Sequence, residues 1–163
     1  MNAKDAARTT MNTADFMVDS YLSDITPQEM FVRPAPGANH LAWQLGHLIS
    51  AETRLVEAAA PGSMPALPEG FAEQHSKATA SSDNPADFLS KDEYLKLAKT
   101  VRAATLKALD KISDADLDNP VTGRVPPFVK RGGDCFVTAG GHWILHAGQW
   151  VVLRRHLGRD RKF

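Results

Sequence analysis

The chain has 163 residues, 43% apolar and 23% charged, which suits one soluble globular domain spanning 1–163 with enough chain to bury a core. Lysine plus arginine and aspartate plus glutamate both number 19, so the formal charge is zero. That balance argues against nucleic acid as the main partner, which needs clustered surplus positive charge.

The N-terminal stretch, MNAKDAARTTMNTADF, lacks the apolar core of a signal peptide. No apolar run approaches the roughly 20 residues of a membrane span. A lone cysteine, Cys135, excludes an intramolecular disulfide and suits a reducing compartment. A cytoplasmic protein without a membrane partner is the expectation.

Four segments read as helices in chain order. The first covers about 4–22, with Ala6, Phe16, Met17 and Leu22 among its apolar positions and SDITPQE as a turn after it. The second covers about 38–59, with Asn39 as its cap and PGSMPALPEG as its stop. The third covers about 87–111, where Ser90 and Glu93 form a capping-box signature. The fourth covers about 134–157, opened by Asp134 and closed by Gly158. Its basic tail, RRHLGRDRKF, reads as a solvated helix end whose cations complement the dipole. Segments 60–86 and 112–133 are rich in Pro, Gly, Ser and Asp without sustained alternation, although VTGRVPPFVKRG has room for a short extended piece. Four long helices and two long connections predict an all-α four-helix bundle, with the connections walling a site.

The fourth helix carries GGHWILHAGQW at 140–150. At about 100° per residue, His142, His146, Gln149, Leu153 and His156 share one narrow stripe. Ile144, Leu145 and Val152 form one apolar shoulder, and Trp143, Trp150 and Leu157 the other. Imidazoles between apolar shoulders need a partner. Histidines four apart on a helix reach one metal ion from the same face, although hydrogen-bonded structural pairs are commoner. No HExxH accompanies them.

On the second helix, Leu41, Leu45, Leu48, Leu55, Val56 and Ala59 define the apolar face. His47 lies roughly 130° from its centre, on a flank with His40, Gln44, Ala51 and Arg54, so periodicity alone makes it a surface residue. Gly46 points the other way. A mid-helix glycine costs close to 1 kcal/mol against alanine and marks close backbone approach.

PAPGANHLAWQLGHLISAE, followed a hundred residues later by HWILHAGQWVVLRRHLG, resembles the DinB/YfiT-like family of metalloenzymes. The likeness runs from about residue 5 to 158, and Leu-Gly-His at 45–47 and His-x-Gly-Gln at 146–149 are its most specific fragments. It implies a four-helix bundle with one histidine on the second helix and His-x3-His on the last. The implied ligands of a divalent ion are therefore His47, His142 and His146. Three imidazoles leave a coordination position open and suit zinc, nickel or iron about equally. Relatives in the family include S-transferases that use low-molecular-weight thiols and a mycothiol-dependent maleylpyruvate isomerase. The resemblance thus implies a metal-dependent transferase or hydrolase acting on a small molecule, with a thiol as co-substrate. A non-catalytic metal-binding or stress-response module is an alternative, and so is a helical interaction protein without metal.

No catalytic base is assigned; Glu52 and Asp134 are the carboxylates to test. Gln149 reads as structural, His156 as too distant to ligate, His40 as a residue for the site rim, and His75 as a loop residue without a partner. Arg54 reads as solvated or as the counter-charge for an anionic substrate. Cys135, near the start of the fourth helix, is a candidate for a dipole-lowered pKa, with packing the commoner role. Gly140 and Gly141 make room for substrate or for a close helix crossing, or simply distort the helix locally. The family resemblance and the tryptophans Trp143 and Trp150 on the fourth helix suggest a homodimer.

Overall fold

The computed structural model describes residues 1–163 and is all-helical, with four long helices and two short ones. Helix α1 (Ala3–Leu22) starts at Asn2, whose side chain accepts from the Asp5 backbone while Asp5 reaches back in a capping box. Its buried stripe is Ala7, Met11, Ala14, Val18 and Tyr21, stepping by three and four residues. Phe16 lies off that stripe and is exposed, its ring tilted at 36° to that of Phe163.

Helix α2 (Leu41–Ala59) begins later than its sequence suggests. His40, not Asn39, caps it: the His40 ring accepts from the Trp43 backbone at 3.1 Å. The Asn39 carbonyl instead accepts from the Gln44 side chain at 2.7 Å. Segment 60–86 is also more ordered than its composition implies. It holds α3 (Phe71–Gln74) and two 3-10 turns, and buries Phe71 and His75.

Helix α4 (Lys91–Lys111) carries the expected Ser90–Glu93 capping box, and residues 85–87 ahead of it form a separate 3-10 turn. The connection 112–133 contains α5 (Asp114–Asp118) and one isolated bridge, Pro120 to Arg131.

Helix α6 (Gly132–His156) starts at Arg131. Asp134 sits inside its first turn and accepts from the Lys130 and Arg131 backbones at 2.9 and 3.0 Å. Gly158 closes the helix at φ +69°, as the sequence predicts. The basic tail is less solvated than expected. Arg154 is buried and pairs with Asp24, and Arg159 pairs with Glu29. The bond from Arg154 holds the Asp24 carboxyl well below the usual carboxylate range.

Helix α6 packs on both α1 and α2, and α2 packs on α4. The α1–α6 approach explains Gly140, where a Cβ would meet the Met11 backbone nitrogen and the Thr10 methyl at 3.0 Å. A Cβ at Gly141 would meet nothing from the rest of the molecule within 4 Å, and packing does not explain this glycine. Helices α1 and α4 are splayed, leaving a cleft of about 240 Å³ floored by Arg102 and Trp143. Beneath it, one polar cluster ties the four long helices together. Arg102 of α4 lies 3.1 Å from both Asp15 of α1 and Glu52 of α2. Glu52 accepts from Trp143 of α6 and Thr105 of α4 at 2.7 Å each. No helix is long and apolar enough to cross a membrane.

Candidate metal centre

Helix α2 is buried nearly all round in its first half, because α6, α4 and α3 cover different sides of it. His47 is therefore only partly exposed, despite lying off the main apolar stripe. It projects toward α6, with its ring stacked on Trp43 at 4.8 Å and 8°. From α6, His142 and His146 come up one turn apart. The ring centroids are 5.1 Å apart for His47–His142, 5.6 Å for His47–His146 and 4.9 Å for His142–His146. One ring nitrogen from each lies within 4.8 Å of the other two. Nitrogens bound to one ion at about 2.1 Å are at most about 4.2 Å apart, so sub-ångström rotations complete the set.

The chemistry of the donors fits a divalent cation. Burial lowers the pKa of all three imidazoles and keeps them neutral, as ligands must be. His142 is pushed down to about 4 by burial, then by His47 and Arg54. His146, the most buried, is pushed down to about 3 by burial, then by His142 and His47. For His47, burial and Arg54 lower the value while the His75 backbone works the other way. No carboxylate acts on any of the three.

A sequence model of the DinB superfamily matches residues 14–150. The chain belongs to the DinB superfamily. No curated protein matches it at a meaningful level. The matched span contains all three histidines.

Two of the other three histidines of this DinB-superfamily chain have structural jobs. His40 does not reach the site: as the α2 cap its second ring nitrogen pairs with the Ser82 carbonyl at 2.9 Å. His75 is not partnerless. Its ring is buried between the Phe71 carbonyl at 2.7 Å and the Tyr94 hydroxyl at 2.6 Å. His156 is exposed on the last turn of α6.

The close approach signalled by Gly46 is this His75 ring, since a Cβ on Gly46 would stand 2.0 Å from its Cδ2. Gly46→Ala is accordingly expected to destabilise by about 1–3 kcal/mol through overpacking, despite the gain of up to about 1 kcal/mol in helix propensity. Urea denaturation checks this, and a variant as stable as the parent contradicts the packing.

Gln149 is exposed and takes no part. The glutamine that matters is Gln44, one α2 turn before His47. Its side-chain oxygen lies 2.9 Å from His146 Nδ1 and accepts from Trp150 Nε1 at 2.9 Å. The sequence signal for it was its place on the His47 flank, which helical arithmetic alone could not rank above Gln149.

Neither proposed carboxylate serves the histidines: Glu52 is spent on the interhelical cluster and Asp134 on the α6 start. Cys135 is fully buried, and burial and the neighbouring Asp134 push its thiol up to about 11, which outweighs any help from the helix dipole. Trp43, Trp143 and Trp150 are all buried, so the tryptophans of α6 are not an interface. On α6 the shoulder beyond the histidines, Leu145 and Val152, is exposed.

Proposed function

We propose that this DinB-superfamily chain is a metal-dependent enzyme that holds one divalent ion (zinc, nickel or iron) through His47, His142 and His146 and acts on a small molecule by thiol S-transfer or hydrolysis. The observation that carries this reading is the convergence of three neutral imidazoles, from two helices, without a fourth protein side chain in the group. Such an ion supplies Lewis acidity and lowers the pKa of a water or thiol beside it. The chain's own contribution is orientation and charge. Trp43 shields one face of His47. Arg54, two turns beyond His47 on the same flank, acts electrostatically on His47 and His142, and Arg124 acts on Arg54. Both arginines are exposed and neither has an ion-pair partner, so both are free to meet a negatively charged substrate, a carboxylate or a thiolate. The general base is unassigned, since no carboxylate of the chain attends the histidines.

Elemental analysis of untagged protein is expected to give one divalent ion per chain, removable by chelators. In a thiol-conjugation or ester-hydrolysis screen, Arg54→Gln is expected to raise KM for anionic substrates and leave neutral ones unchanged. Metal-free protein after zinc, nickel and iron supplementation sinks the proposal.

A second reading, a metal-binding module without catalysis, is favoured by one observation. His146 is only 8% exposed and the Gln44 beside it 3%, the tight seating of a structural ion. Activity that survives complete chelation would point to neither reading.

A second copy of the chain is the proposed macromolecular partner, seated on the exposed Val137, Leu145 and Val152 of α6, and a one-chain mass in light scattering overturns it. A reducing compartment such as the cytoplasm suits the single buried thiol.

A further inference from the structure

We infer that Gln44 is a positioning residue that fixes His146 in its Nδ1–H tautomer and so turns the Nε2 lone pair toward the other two histidines. Proton counting over three hydrogen bonds leads there. Gln44 is 3% exposed, so its amide must be satisfied by protein groups. Its nitrogen faces the Asn39 carbonyl at 2.7 Å, an atom that only accepts. Its oxygen faces Trp150 Nε1 at 2.9 Å, a group that only donates. A flipped amide would set oxygen against carbonyl and NH2 against indole N–H, losing both bonds. The orientation is therefore fixed from two independent sides.

The same oxygen lies 2.9 Å from His146 Nδ1. With the oxygen as acceptor, Nδ1 must carry the hydrogen, and in a neutral imidazole Nε2 is then the lone-pair atom. An outer partner that donates to or accepts from the far ring nitrogen sets which nitrogen ligates and how basic it is. Gln44 fills that place with a carboxamide where a carboxylate or backbone carbonyl is common. A carboxamide adds no negative charge, which keeps the surroundings of the histidines free of acid. The purpose of the arrangement rests on the metal-centre reading; the tautomer itself does not.

Long-range 1H–15N correlation spectra of the metal-free protein near neutral pH test the tautomer directly. The expected result is His146 in the Nδ1–H form, and an Nε2–H ring overturns the assignment. Gln44→Leu, with its fold checked by circular dichroism, is expected to release the tautomer and weaken zinc binding about 10–100-fold. Gln44→Glu, which still offers an acceptor, is expected to recover most of that affinity. A Gln44→Leu protein that keeps the Nδ1–H form and binds zinc within twofold of the parent overturns the role.

Should Gln44→Leu not fold, Trp150→Phe replaces it. Asn39 still anchors the amide there, so the Nδ1–H form is expected to persist, and its loss overturns the two-sided anchoring. A parent protein that shows the Nδ1–H form yet binds no zinc, nickel or iron refutes the metal reading and leaves the tautomer assignment standing.

Discussion

Glu52→Ala is expected to cost about 3–5 kcal/mol of stability, the usual result of stripping one partner from a buried ion pair. Glu52 is 1% exposed, and its oxygens are met by Arg102, Thr105 and Trp143. Burial pushes its pKa up, and Arg102 and the two hydrogen-bond donors oppose that shift. Deleting the carboxylate leaves Arg102, itself only 8% exposed at the side chain, with Asp15 as its one remaining counter-charge. It also orphans a buried hydroxyl and a buried indole N–H, each with its own desolvation cost. Because α1 and α4 touch little directly, this cluster is a main link across the cleft between them. At roughly 2–4 °C per kcal/mol for a chain of this size, the melting temperature should fall by about 6–20 °C. Glu52→Gln keeps an acceptor and loses only the charge, so its effect should be smaller. Thermal and urea unfolding decide the matter: a loss under about 1 kcal/mol for Glu52→Ala shows that the cluster is not a structural link.

What the sequence made legible follows from local chemistry. The Ser90–Glu93 box and the left-handed Gly158 are short-range devices, and both stand where their residues predict. The four-residue spacing of His142 and His146 is equally local. His47 was not legible from periodicity, because an amphipathic stripe locates the inner face only when the other face meets water. Helix α2 is covered on several sides, so a residue far from its stripe is still half-buried. The family resemblance and the cost of Gly46 pointed inward where the stripe did not. Partners from distant segments were invisible in the same way. His75 on Gly46 and Gln44 beneath His146 depend on how α3 and α6 dock. Cys135 illustrates competition between effects: a helix start favours a thiolate, but full burial beside Asp134 favours the thiol. Helices α3 and α5 have four and five residues, too few to show a period in the sequence.

Loss of any one of the three histidines is expected to reduce metal affinity by more than the roughly 10–100-fold that loss of an outer partner costs. His47→Ala is the sharpest case, because His47 is the only one of the three supplied by α2. In the parent protein, metal at a hundred times its Kd should add about 2.7 kcal/mol of stability, and His47→Ala should lose nearly all of that increment. The pH dependence separates this buried site from a set of ordinary exposed histidines. In the folded, metal-free chain, burial depresses His142 to about 4 and His146 to about 3, whereas an unperturbed imidazole titrates near 6.5. These two rings are already deprotonated at neutral pH and stay so on mild acidification. Zinc affinity should therefore change little at His142 and His146 between pH 7 and about 5. The unfolded chain, by contrast, takes up protons on these histidines as the pH falls through about 6.5. It then binds more protons than the folded chain, so metal-free stability should drop between about pH 6.5 and 4, below which the folded rings also protonate. Isothermal titration with zinc at several pH values, beside urea unfolding of the metal-free protein, measures both trends. Full zinc affinity in His47→Ala would remove His47 from the ligand set. A parent protein whose zinc affinity collapses already at pH 6 would show that packing between the two helices does not hold these imidazoles neutral.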